Sequence, residues 1–142
     1  QMSTNFNYRV YTLAYFKEVS NQCPKPTYFY QFVMSFIVVV IDNLYEEIPK
    51  IVRHLAFEDD FNEEIKPNVL PDNIRTLQFG EEFNQEIKVN VLPDNLHTLL
   101  FGDCFDQAIK PNTLPDSLHR LKFGEGFDQE LKANALPKAC TH

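Results

Sequence analysis

Pro49, Pro71, Pro93, Pro115 and Pro137 stand twenty-two residues apart. A period of that length constrains the fold more than composition can. Repeats of roughly 20–50 residues are single supersecondary units that must stack to bury their apolar faces. Three residues after each proline come Val52, Ile74, Leu96 and Leu118, then Leu55, Leu77, Leu99 and Leu121, then Phe57, Phe79, Phe101 and Phe123. The Leu-x-Phe pair has period two, so both side chains face the same way on a short strand.

Gly80, Gly102 and Gly124 follow the phenylalanines, with Glu58 in the first copy. Glycine at a strand end predicts a bend or a positive-φ corner, looser at Glu58. A second aromatic column follows at Phe61, Phe83, Phe105 and Phe127, and each is followed by Asn62, Asn84, Asp106 or Asp128. Ile65, Ile87, Ile109 and Leu131 continue the apolar set, and Asn68, Asn90, Asn112 and Asn134 close each copy. The expectation for this last column is an inner amide ladder that satisfies backbone groups at a corner. Every copy runs the same way, so the strands are parallel and about 4.8 Å apart. The fold class read from these columns is a β-rich repeat solenoid of 22-residue rungs, residues 48–137. Residues 138–142 begin a fifth copy, cut short.

Residues 1–47 read as an N-terminal cap of one or two short helices and a strand, since an uncapped first rung exposes its apolar interior. Phe6, Val10, Leu13, Ala14 and Lys17 have near-helical spacing within Asn5–Val19, with Thr4 or Asn5 as cap. Thr27 is the candidate cap of a second helix over 28–36. The β-branched run Ile37–Ile41 predicts a strand covered on both faces and paired beside the first repeat strand. The longest apolar run, Tyr28–Ile41, has fourteen residues, short of the roughly twenty that span a bilayer. No membrane association is expected. Gln1 ahead of Met2, and a chain that stops as another copy opens, read as a fragment of a longer repeat protein.

Charge narrows the function. The chain carries 13 Lys+Arg against 20 Asp+Glu, a formal −7, and a surface of that sign repels phosphate backbones, so nucleic acid is not an expected partner. Cys23, Cys104 and Cys140 form no CxxC or zinc-ligand pattern, which fits an intracellular, reducing setting. Cys104 falls in a variable corner and is expected to be exposed and oxidisable; Cys140 falls in an apolar column. His97 and His119 lie on successive copies, but the spacing fixes no third ligand, so neither metal nor cofactor is predicted. With four glycines, no G-x-S-x-G, no P-loop and no HExxH, the chain does not read as an enzyme.

The segments "FNEEI", "FNQEI", "FDQAI" and "FDQEL", joined to "LPDNLHTLLFG"-type stretches, resemble FNIP repeats. These are relatives of leucine-rich repeats found in social amoebae and in large DNA viruses of amoebae. The resemblance covers Ile48 to Pro137, with the motif proline replaced by Glu64, Glu86, Ala108 and Glu130. Against the leucine-rich pattern the fit slips after the strand, where Asp60, Glu82, Cys104 and Gly126 occupy the Asn/Cys slot. The resemblance implies an interaction scaffold, in the host cytoplasm or the virion if viral. It sometimes comes with an F-box-like module in front, for which this chain lacks the Leu-Pro-x-Glu opening.

Function is expected where copies differ. The position four after each proline reads Arg53, Arg75, His97, His119; the next reads His54, Thr76, Thr98, Arg120; that between Leu and Phe reads Ala56, Gln78, Leu100, Lys122. Arg53, His54, Arg75, Thr76, Gln78, His97, Thr98, Leu100, His119, Arg120 and Lys122 are the candidate protein-binding residues. The corner beside them is acidic. The lysine column Lys66, Lys88, Lys110, Lys132 requires nearby anions, with Glu64, Glu86, Glu130, Asp72, Asp94 and Asp116 as candidates. Two other roles compete: a structural component packed through the acidic corner or the open C-terminal end, and a ubiquitin-ligase adaptor.

Overall fold

A computed structural model describes residues 9–22 and 37–141. The elements are strand β1 (Arg9–Thr12), helix α1 (Leu13–Gln22), and strands β2 (Ile37–Ile41), β3 (His54–Phe57), β4 (Thr76–Gln78), β5 (Thr98–Leu100) and β6 (Arg120–Lys122). The six strands form one parallel sheet in chain order. The solenoid is therefore real, and it begins two strands before the first repeat. The helix expected over 28–36 and its cap Thr27 lie outside the described residues, as do Thr4, Asn5 and Cys23.

Register explains the columns. Tyr11, Val39, Leu55, Leu77, Leu99 and Leu121 align as one row across the sheet. The last five of them are 0–2% exposed. Val52, Ile74, Leu96 and Leu118 lie in the same core, and the two phenylalanine columns complete it. Phe57, Phe79, Phe101 and Phe123 stack at 5.1–5.5 Å between centroids. Phe61, Phe83, Phe105 and Phe127 stack at 6.0–6.1 Å. Within a rung the two rings lie 3.7–4.2 Å apart. One copy could not shield such a pair from water, because its faces are covered by the rungs on either side.

Each rung turns through short hydrogen-bonded corners. The amide three residues past the proline donates to its carbonyl at Pro49, Pro71, Pro93, Pro115 and again at Pro137, with N···O of 3.0–3.3 Å. At the far side Val91 donates to Lys88 and Thr113 to Lys110. Asn90 and Asn112 sit third in these turns with φ of 66° and 65°. Only that position has positive φ, which defines a type II turn; asparagine suits it, and Pro111 fits the position before. The Asn68–Asn90–Asn112 column is thus a set of exposed left-handed corners, not the inner ladder expected. Asn134 departs again, lying in the 3-10 turn Ala133–Ala135. Asn90→Ala should cost about 1 kcal/mol and Asn90→Gly almost nothing, because only the first adds a left-handed Cβ penalty; urea unfolding of both variants checks it.

The amide ladder exists one column away. Asn62 Oδ1 accepts the Asn84 amide, Asn84 Oδ1 the Asp106 amide, and Asp106 Oδ1 the Asp128 amide, each at 2.9 Å. The side-chain amides of Gln85, Gln107 and Gln129 donate to the same three oxygens at 3.0 Å. Because the Asp128 amide and Gln129 both donate to it, the Asp106 carboxyl is held below the usual carboxylate range. An Asp serves here as well as an Asn because the position only accepts.

The glycines also act otherwise than expected, for none has positive φ. A Cβ on Gly102 would lie 2.4 Å from the Gly80 carbonyl oxygen, and one on Gly80 would lie 2.4 Å from that of Glu58. Glycine is demanded by the close approach of the preceding corner. Glu58 escapes because its amide meets the end of β2, donating to Ile41 O at 2.8 Å, and no earlier repeat corner lies beneath it.

The N-terminal region departs most from the sequence reading. Residues 9–12, expected to be helical, form β1 and pair in register with Ile37–Val40. Tyr11 then packs on the core while Val10 points away from it, 62% exposed. Ladder hydrogen bonds and burial of one face outweigh the helical spacing of Val10 and Leu13. The helix starts at Leu13, where Thr12 Oγ1 accepts the Tyr15 amide at 3.3 Å, and it is anchored by Phe16, 1% exposed. β2 is buried on both faces apart from a half-buried Val40.

Candidate functional site

Alternation places the candidate residues that lie within β3–β6 on the sheet face opposite the core. His54, Thr76, Thr98 and Arg120 form one row, continued N-terminally by Val38 and Val10. Ala56, Gln78, Leu100 and Lys122 form the next, continued by Val40 and Thr12. Arg53, Arg75, His97 and His119 precede the strands as a third row. Its backbone is fixed by carbonyls that each accept two amides of the next rung: Arg53 O from Arg75 and Thr76, Arg75 O from His97 and Thr98, His97 O from His119 and Arg120. Each carbonyl reaches the next rung's own row, so the side chains stack in step.

The two strand rows therefore share one face, and the row Arg53, Arg75, His97, His119 runs along its edge where the chain enters the strands. Exposure rises along it: Arg53, His54, Arg75, Thr76 and Gln78 are half-buried, as are Thr98 and Leu100, whereas His97, His119, Arg120 and Lys122 are exposed. Sequence reading missed Val10 and Thr12, which extend the rows onto β1; Val38 and Val40 lie on the strand it expected, where Val38 is buried. The alternation Val10-out, Tyr11-in was the available signal, hidden by a helical reading of the same letters.

His97 has neighbours on both adjoining rungs. Arg75 Nη1 donates to its Nε2 at 3.2 Å, and its ring meets His119 edge-on with centroids 5.4 Å apart. Burial pushes the His97 imidazole below the usual histidine range, and the Arg75 charge and His119 push the same way. At neutral pH it is therefore uncharged and accepts the Arg75 hydrogen bond. His119 Nδ1 donates to the Ser117 carbonyl. Among the described residues no three His, Cys, Asp or Glu side chains gather into a metal-holding group.

Among the described residues three ion pairs form, all away from the strand face. Lys88 bridges Glu64 and Lys110 bridges Glu86, each reaching back one rung, and Lys17 of α1 bridges Glu46 at 2.7 Å. The first two pairs single out Glu64 and Glu86 from the candidate anions named for the lysine column, whereas Lys66, Lys132 and Glu130 form no ion pair among the described residues. In the Lys88–Glu64 pair the hydrogen bond is the leading cause that holds the Lys88 ammonium above its ordinary range and the Glu64 carboxyl below its own. On the strand face, by contrast, no carboxylate among the described residues lies within ion-pair distance of Arg53, Arg75, Arg120 or Lys122.

Past the strand ends the corner carries Asp59, Asp60, Glu81, Glu82, Asp103 and Glu125, all exposed. Cys104 lies among them, exposed and free. Cys140 is half-buried against the core, and that burial pushes its thiol up. A cleft of about 410 Å³ lies on the opposite ridge between Leu70 and Leu92 and is lined by repeated prolines, asparagines and aspartates. It is a groove between rungs, built from letters common to the copies. No described helix is long and apolar enough to cross a membrane.

Comparison with known proteins agrees with this architecture. The sequence model of the FNIP repeat matches residues 44–82, 61–104 and 105–142. No curated protein matches the chain. A solved structure, the crystal structure of CroV588, described as a novel circular LRR protein structure, is 40% identical with a TM-score of 0.69. The match covers 75% of this chain and 16% of that one.

Proposed function

The chain belongs to the FNIP repeat family, and we propose that it is a non-catalytic scaffold that takes a protein partner on the outward face of β3–β6. Leucine-rich-repeat-like solenoids commonly mediate protein interaction, since stacked rungs offer an extended surface. The observation that carries the reading is a contrast within each rung. The side chains at Leu77, Phe79 and Phe83 keep one letter in all four copies, whereas the row Ala56, Gln78, Leu100, Lys122 differs in every copy and the row Arg53, Arg75, His97, His119 changes midway. Stacking demands the first set and places no demand on the second.

A steric block tests this. Thr98→Trp adds a large ring at the centre of the face, on a strand that accepts aromatic residues, without changing charge. Wild type and variant are compared as bait for the same binding partner, with an equal substitution at exposed Val89 on the far ridge as control. Loss of the partner only with Thr98→Trp is expected. Undiminished recovery removes this face as the site.

One observation favours a second reading, that of a component of a larger repeat assembly: the chain aligns with 16% of a circular protein. Mass photometry tests it; a single monomeric species at high concentration counts against self-assembly. The adaptor reading calls for an N-terminal helical bundle, and the described residues before β3 hold two strands and one helix.

A further inference from the structure

We infer that the partner presents an acidic, extended segment to this face, lying across the strands over Arg53, Arg75, Arg120 and Lys122. The inference rests on the strand face being the binding site, and it adds the chemistry of the occupant. The motivation is an imbalance. The chain has seven more acidic than basic side chains, and Lys17, Lys88 and Lys110 each find a carboxylate. The four strand-face cations have none among the described residues, as is also so of Lys50, Lys66, Lys132 and Lys138, and Arg120 and Lys122 are exposed. No outward position of β3–β6, nor any of the row Arg53, Arg75, His97, His119, is Asp or Glu. Complementary charge is supplied from outside or not at all.

Geometry sets the orientation. The cations lie along rows that run from rung to rung, so Arg53 and Arg120 are three rungs apart, about 14 Å at sheet spacing. An extended segment of about five residues covers that distance. The half-buried Leu100 and Thr98 between them offer an apolar step for a side chain of the same segment. On the side where the strands end, the exposed acids of the corner repel a polyanion that strays from the rows, because like charges brought together are unfavourable. That rim restricts the occupant to one slender strand of chain. It also disfavours nucleic acid, whose phosphates would overhang the acidic corner.

Fluorescence anisotropy with the full chain tests the inference. The probes are a labelled Glu-Asp-Leu-Glu-Asp-Glu peptide, its Gln-Asn-Leu-Gln-Asn-Gln counterpart, and hexathymidylate. The acidic peptide is expected to bind at least tenfold more tightly than the neutral one, and more weakly as salt rises. Joint replacement Arg75→Gln, Arg120→Gln and Lys122→Gln should weaken it at least tenfold, whereas Lys66→Gln with Lys132→Gln, in the lysine column, should change it less than twofold. No binding of the acidic peptide at ~1 mM overturns the inference. So does equal binding of the neutral peptide, tighter binding of hexathymidylate, or indifference to the triple replacement. A partner lost with Thr98→Trp but kept by the triple variant leaves the face as the site and removes the acidic occupant. A partner kept by Thr98→Trp removes the site itself.

Discussion

Phe83→Ala is expected to lower the unfolding free energy by about 4 kcal/mol, within the range for deleting a buried ring. Phe83 is fully buried and sits between Phe61 and Phe105, with Phe79 stacked on it 3.9 Å away in its own rung. Removing the ring leaves a void whose walls belong to three rungs held in register by the ladder, so the site cannot collapse to fill it. Phe83→Leu keeps most of the volume and should cost about 1.5 kcal/mol. Phe127→Ala is the internal control. Phe127 is the last of its column and only half-buried, so its loss should be about half that of Phe83. Urea unfolding followed by far-ultraviolet circular dichroism reads all three; equal losses at Phe83 and Phe127 would contradict the stacked-column account.

The second large effect is at a residue with no side chain. Gly102→Ala should cost about 3 kcal/mol, although alanine is compatible with the negative φ there. The added methyl meets the Gly80 carbonyl oxygen at 2.4 Å and the Glu81 Cα at 2.8 Å, both backbone atoms of the preceding corner. Relief requires the two rungs to separate, which loosens the hydrogen bond from the Cys104 amide to Glu81 O, 3.1 Å long. Glu58→Ala, at the equivalent place in the first copy, should stay within about 0.5 kcal/mol, since an exposed side chain is already tolerated there. A mild Gly102→Ala would show that the corners are not in contact.

How much of this could be read beforehand depends on whether the determining neighbour repeats. The Leu77 and Phe79 columns were legible because burial forces the same apolar letter into each copy, and a period of two gives the face. The strand face was legible as its complement. The glycine's role was not: a bend and a close approach both select glycine, and only the position of the preceding rung separates them. The two asparagine columns were exchanged for a similar reason. Asn84 and Asn90 are both amides at corners; one is chosen for its acceptor oxygen and the other for its backbone. The tolerance of Asp106 and Asp128 in the first column, against unbroken asparagine in the second, held that distinction. At the N-terminus no repeat existed to arbitrate, and β1 is made by pairing with a strand twenty-eight positions away, Arg9 with Ile37.

The central claim is that the recurring columns build the stack while the outward rows are free to recognise a partner. A proteolysis-based stability scan of single substitutions from Pro71 to Lys122 tests it most directly. Losses are predicted to recur with the 22-residue period, deep at Leu77 and Leu99, Phe79 and Phe101, Phe83 and Phe105, and Gly80 and Gly102. Losses at Arg75, Gln78, Thr98, Arg120 and Lys122 are predicted to stay within about 0.5 kcal/mol. Losses at those outward positions as deep as at the leucines, or a profile without the period, would contradict the account.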